Sequence, residues 1–334
     1  MIATVAFRNF KALRSARLEL APFNLVVGPN GSGKTSLIQA VMQLGKLARL
    51  PLREPVPEAE RLPDAAEITF GFSPPYDGLE ATLACVNETA CDLLQVAPLP
   101  RGEGVDDWDG LKARLLTARP YRLDHVAMAQ AVYPVSSDEL AADGGNLAAR
   151  LAALRARSPE AYAGLEAEAL RLFPEYGELV LMPGRGSFGL RLNDPAETTP
   201  VEAGELSQGT LYTLALLALA FDPAPPAIIA IEELDRGMHP RLLRDVRDIL
   251  YRLSYPADYG HERGPVQVIV TTHSPQMLDL FRDHPEEVVI AEKSGRAATF
   301  SRLSDRADIG LLLAEGGSLG DLWYSGVLGG VPEA

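Results

Sequence analysis

The chain has 334 residues, of which 47% are hydrophobic and 23% are charged. This composition supports a buried core and excludes wholesale disorder. The formal net charge of −14 argues against a protein that coats DNA or an anionic membrane through general basicity. Two cysteines cannot build a disulfide framework, and no stretch resembles a signal peptide or a membrane span, so we expect a cytoplasmic protein without membrane contact.

The first strong signal is a glycine-rich segment between a strand and a helix. Strands are predicted over residues 2–7 and 18–27, and GPNGSGKT (28–35) then precedes a helical pattern. This setting predicts a phosphate-binding loop, whose N–H groups and following helix N-terminus face the anion. We expect a nucleotide to be held by Asn30, Gly31, Ser32, Gly33, Lys34, Thr35 and Ser36. Lys34 would reach the β- and γ-phosphates, and the Thr35 hydroxyl would bind Mg²⁺.

The rest of the chain predicts an α/β architecture. Residues 51–135 are rich in proline and acid and predict a β-rich insert, with a loop around residues 101–110. Residues 136–200 predict a helical subdomain, in which Ser158 caps the second of two helices. Residues 201–334 alternate apolar strands with helices, which indicates a parallel sheet covered on both faces. We therefore predict a P-loop NTPase fold with a mixed parallel core sheet, in a single domain over residues 1–334.

A second candidate anion site begins the apolar helix predicted over residues 206–221. Ser207 and Gly209 offer a hydroxyl, free N–H groups and the positive end of the helix. Because this site is far from the phosphate loop along the chain, we predict that it acts in trans, across a dimer. The alternative is a capped, buried helix with no ligand.

Acidic and histidine side chains end two apolar strands. AIIAIEE places Glu232 and Glu233 at a strand's carboxyl end, where ligands bind in such sheets. We assign Glu232 to the metal shell and Glu233 as the general base for the attacking water. His273 ends the next strand and would sense the γ-phosphate. The alternatives are an acidic surface turn and a surface loop histidine.

These motifs, in this order, resemble the ABC-type AAA ATPases of the RecF/SMC/OLD group, in particular stand-alone bacterial predicted AAA ATPases. The resemblance rests on FRNFKAL, GPNGSGKT, LSQGT, IEELDRGMHP, TTHSP, DGGNLAARLAALR and SLGDLWYSGVLGG. It implies an ABC-ATPase-like head with an antiparallel β part and a helical subdomain. Phe10 and Lys11 would lie beside the nucleotide. ATP would be sandwiched in a homodimer, with Ser207 and Gly209 of one subunit facing the γ-phosphate bound by the other.

The resemblance implies ATP and Mg²⁺ as cofactors and ATP hydrolysis, slowed because Glu232 replaces the usual Asp. Only 61 residues follow His273, too few for the nuclease domain of OLD proteins. We therefore expect a switch or sensor subunit that acts with a separate, nuclease-type effector in phage defence. One alternative is a RecF-like DNA-repair ATPase that binds DNA directly, since residues 1–54 contain eight basic and two acidic residues. The other is a nucleotide-gated scaffold with little hydrolysis.

Overall fold

The computed structural model describes residues 1–52, 64–99, 106–133, 138–183, 188–193, 200–314 and 317–331. The chain forms two units. The first contains Met1–Pro120, Pro226–Leu234 and Val266–Ala334, and the second contains Tyr121–Pro225 and Asp235–Pro265. The chain thus leaves the first unit and returns to it, so the phosphate loop and the strand that precedes Glu232 belong to the same unit. The boundaries at 51–135 and 136–200 remain predictions.

The secondary structure follows the expected alternation of strands and helices. The strands are β1 (Ile2–Phe10), β2 (Leu13–Glu19), β3 (Phe23–Val27), β4 (Glu67–Phe72), β5 (Glu80–Asn87), β6 (Ala90–Ala97), β7 (Arg119–Tyr121), β8 (Glu178–Pro183), β9 (Phe188–Asn193), β10 (Val201–Glu202), β11 (Ile228–Ile231), β12 (Gln267–Thr272), β13 (Val288–Ser294) and β14 (Ala297–Arg302). The helices are α1 (Lys34–Leu47), α2 (Asp106–Leu116), α3 (His125–Met128), α4 (Leu147–Arg157), α5 (Pro159–Leu172), α6 (Gln208–Ala220), α7 (Pro240–Ser254), α8 (Pro275–Asp279), α9 (Ile309–Ala314) and α10 (Leu319–Tyr324).

A mixed sheet lies at the centre of the first unit, with the strand order β14-β13-β3-β12-β11-β7. The neighbours β13, β3, β12 and β11 pair in parallel, and β14 pairs antiparallel with β13. Every residue of β3, β11 and β12 is buried, as strands in a sheet covered on both faces require. The predicted α/β fold with a mixed parallel core sheet is therefore confirmed.

The first unit also contains the expected antiparallel β part. Its five strands lie in the order β2-β1-β4-β5-β6. Burial alternates along β4, where Ile68, Phe70 and Phe72 face the core and their neighbours do not. Leu37 and Val41 of α1 belong to the same apolar cluster. The helix that follows the phosphate loop is thus fixed by its contact with this cluster.

The second unit combines helices α3 to α7 with a three-stranded antiparallel sheet of order β10-β9-β8. Helix α6 is apolar on all sides, and its residues from Gly209 to Ala220 are all buried. Helix α7 is amphipathic instead, and it buries Leu243, Val246 and Leu250 on one face. His239 caps α7, because its imidazole accepts a hydrogen bond from the backbone N–H of Arg241.

Three local predictions are wrong. The strand expected over residues 18–27 is instead two strands, β2 and β3. The loop expected around residues 101–110 falls partly outside the described residues, and its described part starts helix α2 at Asp106. The two helices do break at Ser158, but the Ser158 side chain makes no capping hydrogen bond, and Pro159 at the first helical position starts α5.

The two cysteines, Cys85 and Cys91, form one disulfide between β5 and β6, which the composition did not predict. The two cysteines lie on paired positions of the hairpin. Among the described residues, no helix is long and apolar enough to cross a membrane.

Gln267 on β12 connects the central sheet to β1 through side-chain hydrogen bonds. Its substitution therefore provides a test of this fold. Its fully buried amide accepts from the N–H of Ile2 (3.1 Å) and donates to the carbonyls of Ile2 (2.7 Å) and Ala21 (3.1 Å). Gln267→Leu removes these three buried hydrogen bonds, although the Ala21 carbonyl still accepts from the Asn24 side chain, so we expect the free energy of unfolding to fall by about 2–4 kcal/mol.

Chemical denaturation measures this loss. Gln276→Leu is the matched control, because Gln276 is an exposed glutamine of the same unit, and it should change stability by less than about 0.5 kcal/mol. Equal stability of the two variants would contradict the role given to Gln267.

Candidate functional site

The glycine-rich loop connects β3 to α1 in a conformation that needs glycine. Gly33 precedes the helix with a φ of 91°, in the left-handed region. At Gly28, a Cβ would overlap the carbonyl oxygen of Ala291 on the neighbouring β13. The loop is therefore held against the sheet, and the N-terminus of α1, with its unpaired N–H groups, opens onto it.

Lys34, the first residue of α1, is a buried cation inside this loop. Its side chain is 8% exposed, and Nζ donates to the carbonyl oxygens of Gly28 (2.7 Å) and Pro29 (2.9 Å). Burial lowers the pKa of the Lys34 ammonium to about 8, and the nearby Glu233 carboxylate partly opposes this shift. A negatively charged ligand beside Lys34 would favour its charged form.

The hydroxyl of Ser32 supports the same interpretation. Its Oγ is buried and has no hydrogen-bond partner among the described residues. Buried polar atoms are rarely left unpaired, and a phosphate oxygen is an acceptor of the right chemistry. The loop is therefore suited to a phosphate group, because it offers the unpaired Ser32 hydroxyl, the buried Lys34 ammonium and a glycine-rich backbone.

Two carboxylates follow β11 on the same edge of the sheet. The Glu233 backbone has a φ of 53°, which is unusual for a residue other than glycine. Thr271 fixes this conformation, because its Oγ1 accepts the N–H of Glu233 (3.0 Å) and its carbonyl accepts the N–H of Leu234 (3.0 Å). The chain therefore turns sharply after Glu232, and both carboxylates face the same cavity.

This cavity has a volume of about 180 Å³ and collects most of the predicted site residues. It is lined by Lys11, Ala12, Asn30, Gly31, Gly33, Lys34, Thr35, Ser36, Glu232, Glu233, Thr271 and His273. The predicted loop residues other than Ser32 thus meet the predicted residues that follow β11 and β12 in this cavity. Ala12 and Thr271 were missed. Thr271 is the first threonine of the TTHSP motif, and the motif alone predicts no role for it.

Lys11 lies at the rim of the cavity, in the turn between β1 and β2. Its backbone has a φ of 53°, and its Nζ hydrogen-bonds to Oε1 of Gln39 on α1. The same Nζ lies 5.3 Å from the ring centroid of Phe10. Phe10 itself is only 4% exposed and belongs to the apolar core. Its ring therefore packs against the Lys11 side chain.

Ser207 and Gly209 belong to the second unit and are not among the residues that line this cavity. Ser207 caps α6, because its Oγ accepts the N–H of Thr210 (3.1 Å) and lies 2.7 Å from the Thr210 hydroxyl. Gly209 is buried, and a Cβ there would lie 3.3 Å from the carbonyl oxygen of Gly237. Ser207 remains exposed at the helix start.

The described residues contain no cluster of three or more His, Cys, Asp or Glu side chains that could hold a metal ion. A Mg²⁺ ion does not need such a cage, since it is commonly bound by one or two protein oxygens together with substrate phosphates. Thr35 and Glu232 line the cavity and provide a hydroxyl and a carboxylate. The donor set therefore fits Mg²⁺ that arrives with a nucleotide.

Two family descriptions match the chain. Residues 119–279 match the family "AAA domain, putative AbiEii toxin, Type IV TA system", and residues 4–44 match a second AAA domain family. The second match contains the glycine-rich loop. The first contains both Ser207 and the Glu232–His273 part of the cavity.

Curated relatives match shorter segments. RecF, the DNA replication and repair protein of Actinobacillus pleuropneumoniae, is 51% identical over 45 residues, which are 13% of this chain and 12% of RecF. The OLD nuclease of Thermus scotoductus is 32% identical over 120 residues, 31% of this chain and 22% of that protein. The matched segments thus cover about an eighth of the length of RecF and about a fifth of the length of the OLD nuclease.

Among solved structures, the SMC head domain from Thermotoga maritima has a similar fold. The TM-score is 0.51 at 13% sequence identity, and the match covers 90% of this chain and 98% of that domain. The chain therefore has an SMC head-like ATPase fold. The sequence matches at its motifs, together with this fold, support a RecF/SMC/OLD-type AAA ATPase.

Proposed function

We propose that the chain binds ATP with Mg²⁺ in the cavity beside α1 and hydrolyses it. One observation carries this proposal. A buried lysine at a glycine-rich loop, a helix N-terminus, two carboxylates and a histidine all meet at one edge of one sheet. Cations and N–H groups at that edge suit the phosphates, and the carboxylates suit a metal ion and a water molecule.

The roles of individual residues follow from their chemistry. Lys34 neutralises charge on the β- and γ-phosphates, and the hydroxyl of Ser32 donates to a phosphate oxygen. Thr35 and Glu232 hold the metal, and bound Mg²⁺ supplies further charge neutralisation for phosphoryl transfer. Glu233 orients the attacking water and accepts its proton. The hydrogen bond from Glu233 N–H to Thr271 holds the backbone that aims this carboxylate.

We further propose that ATP binding brings two copies together as a homodimer. In this dimer, Ser207 and Gly209 of one copy contact the γ-phosphate bound by the other. Ser207 is exposed at the N-terminus of a helix of 13 residues, which supports an anion contact in trans. The cap that Ser207 makes with Thr210 would have to share its hydroxyl with that anion.

The biological role that we propose is that of a cytoplasmic switch or sensor. It acts with a separate effector of the nuclease type, in phage defence. The similarity to an OLD nuclease over 120 residues supports this role. A pull-down that captures a nuclease only in the presence of ATP, and phage sensitivity in cells that lack the chain, would be the supporting results. Unchanged phage growth in those cells would reject it.

Direct DNA binding is the second candidate, and the RecF match over 45 residues favours it. The basic N-terminal segment is partly neutralised, however, because Arg8 pairs with Glu67 and Arg14 pairs with Glu88. DNA binding by this route predicts ATPase stimulation by duplex DNA that declines steeply as salt concentration rises. Unstimulated hydrolysis at low salt would reject this candidate.

Glu233→Gln tests the enzymatic proposal and the proposed dimer together. The amide cannot accept a proton from water, so we expect steady-state ATP hydrolysis to fall by at least about 100-fold. ATP binding should persist, because the charge of Lys34 and the loop backbone are unchanged. The variant should therefore accumulate as an ATP-bound dimer, which size-exclusion chromatography with light scattering detects.

Glu262→Gln is the matched control, since Glu262 lies in the second unit and outside the cavity. It should leave both hydrolysis and oligomeric state unchanged. If Glu233→Gln hydrolyses ATP at the wild-type rate, Glu233 is not the base. If wild type and variant both bind ATP and dimerise but neither hydrolyses it, the chain is a nucleotide-gated scaffold, which is the remaining alternative.

The lowered pKa of Lys34 makes nucleotide binding pH-dependent. In the free protein Lys34 loses its proton as the pH rises through about 8, whereas bound phosphates raise its pKa again. We therefore expect ATP binding at about pH 9 to take up close to one proton, and ATP affinity to fall as pH rises above 8. Below about pH 7, Lys34 is charged in both states and proton uptake should vanish.

Calorimetric titrations in buffers of different ionisation enthalpy measure this proton uptake. Lys34→Arg is the informative variant, since a guanidinium stays protonated throughout this range. Uptake at about pH 9 that persists in Lys34→Arg would assign the proton to another group and contradict the prediction.

A further inference from the structure

The hairpin formed by β13 and β14 lies directly beside the phosphate loop. Strand β13 pairs in parallel with β3, the strand that leads into the loop, and Ile290 lies opposite Val27. On its other side, the N–H of Ala298 donates to the carbonyl of Ala12 in the β1–β2 turn (2.8 Å). The hairpin is therefore attached both to β3 and to the β1–β2 turn, which border the nucleotide cavity. None of the sequence motifs includes this hairpin.

Lys293, near the end of β13, extends over the loop. A Cβ built on Gly31 would lie 3.4 Å from Nζ of Lys293, 3.8 Å from its Cδ and 4.0 Å from its Cε. The aliphatic stem of Lys293 thus covers the α-carbon of a residue that lines the cavity. Its ammonium group lies at the surface of the loop, outside the glycine-rich motif.

The charge of Lys293 is available for a ligand. Lys293 is exposed, and no carboxylate pairs with it in the part of the chain that the structure describes. Successive residues of a strand point to opposite faces, and the preceding Glu292 packs against Gly329 instead. Lys11, the other lysine at the rim, already donates to Gln39.

We propose that Lys293 is a phosphate-binding residue, which contacts the polyphosphate of the nucleotide from outside the glycine-rich loop. The proposal rests on the proposed function, because the ligand is the same ATP. A nucleoside triphosphate carries several negative charges, and Lys34 is the one loop lysine that meets them. An exposed ammonium can swing on its flexible stem from Gly31 to a phosphate oxygen, and it favours tri- and diphosphates over uncharged nucleosides.

Two substitutions separate the charge of Lys293 from its packing. Lys293→Met keeps an aliphatic stem over Gly31 and removes the charge, while Lys293→Arg keeps the charge. Calorimetric titration at low salt with Mg·ATP, Mg·ADP and adenosine provides the readout. We expect Lys293→Met to weaken ATP and ADP binding by about 3- to 10-fold, to leave adenosine binding unchanged and to reduce the salt dependence of ATP affinity. Lys293→Arg should bind ATP as wild type does.

Arg296→Met is the matched control, because Arg296 is an exposed cation in the turn of the same hairpin. It should bind ATP as wild type does. If Lys293→Met binds ATP as tightly as Arg296→Met, or loses adenosine affinity equally, the proposal is overturned while the ATP site stands. If the wild type itself binds no ATP, both proposals fall.

Discussion

Parallel pairing of three buried strands, β3, β12 and β11, is the constraint on which the site depends. In this register Val27 lies opposite Thr272, and Val270 lies opposite Ile231. The residues that follow the paired stretches are Gly28, His273 and Glu232, so the phosphate loop, the histidine and the carboxylates emerge at one edge. A slip of one residue in either pairing would turn these side chains to the opposite face.

Several groups at this edge are unfavourable without a ligand. Lys34 is a buried charge, Ser32 has a buried hydroxyl without a partner, and Glu233 has a left-handed backbone. Each such feature costs about 1–3 kcal/mol in a typical protein. The surrounding core maintains them, through the apolar contacts of α1 and the hydrogen bonds of Thr271. An anion in the cavity would offset the buried charge of Lys34, which lines the cavity, so a phosphate ligand suits this edge.

Much of this arrangement is predictable from the sequence, for a physical reason. The glycine-rich loop, the buried strands and the acids after β11 are local patterns, and parallel strands place their carboxyl ends on the same edge of a sheet. Other features arise only from tertiary contacts. Thr271 acts through a hydrogen bond to a residue 38 positions away, and Lys293 is an ordinary surface lysine until the pairing of β13 with β3 brings it over Gly31. The helix at Asp106 and the division of residues 13–27 into two strands were missed because acidic and turn-forming residues obscure the local pattern.

The central claim is that one edge of this sheet forms a nucleotide site, and a direct measurement is a titration with a non-hydrolysable ATP analogue and Mg²⁺. Wild type should bind one nucleotide per chain. The variant Lys34→Ala should lose this binding while its circular dichroism and thermal unfolding show an intact fold. Stoichiometric binding that survives in Lys34→Ala with unchanged affinity would place the nucleotide elsewhere and contradict the account.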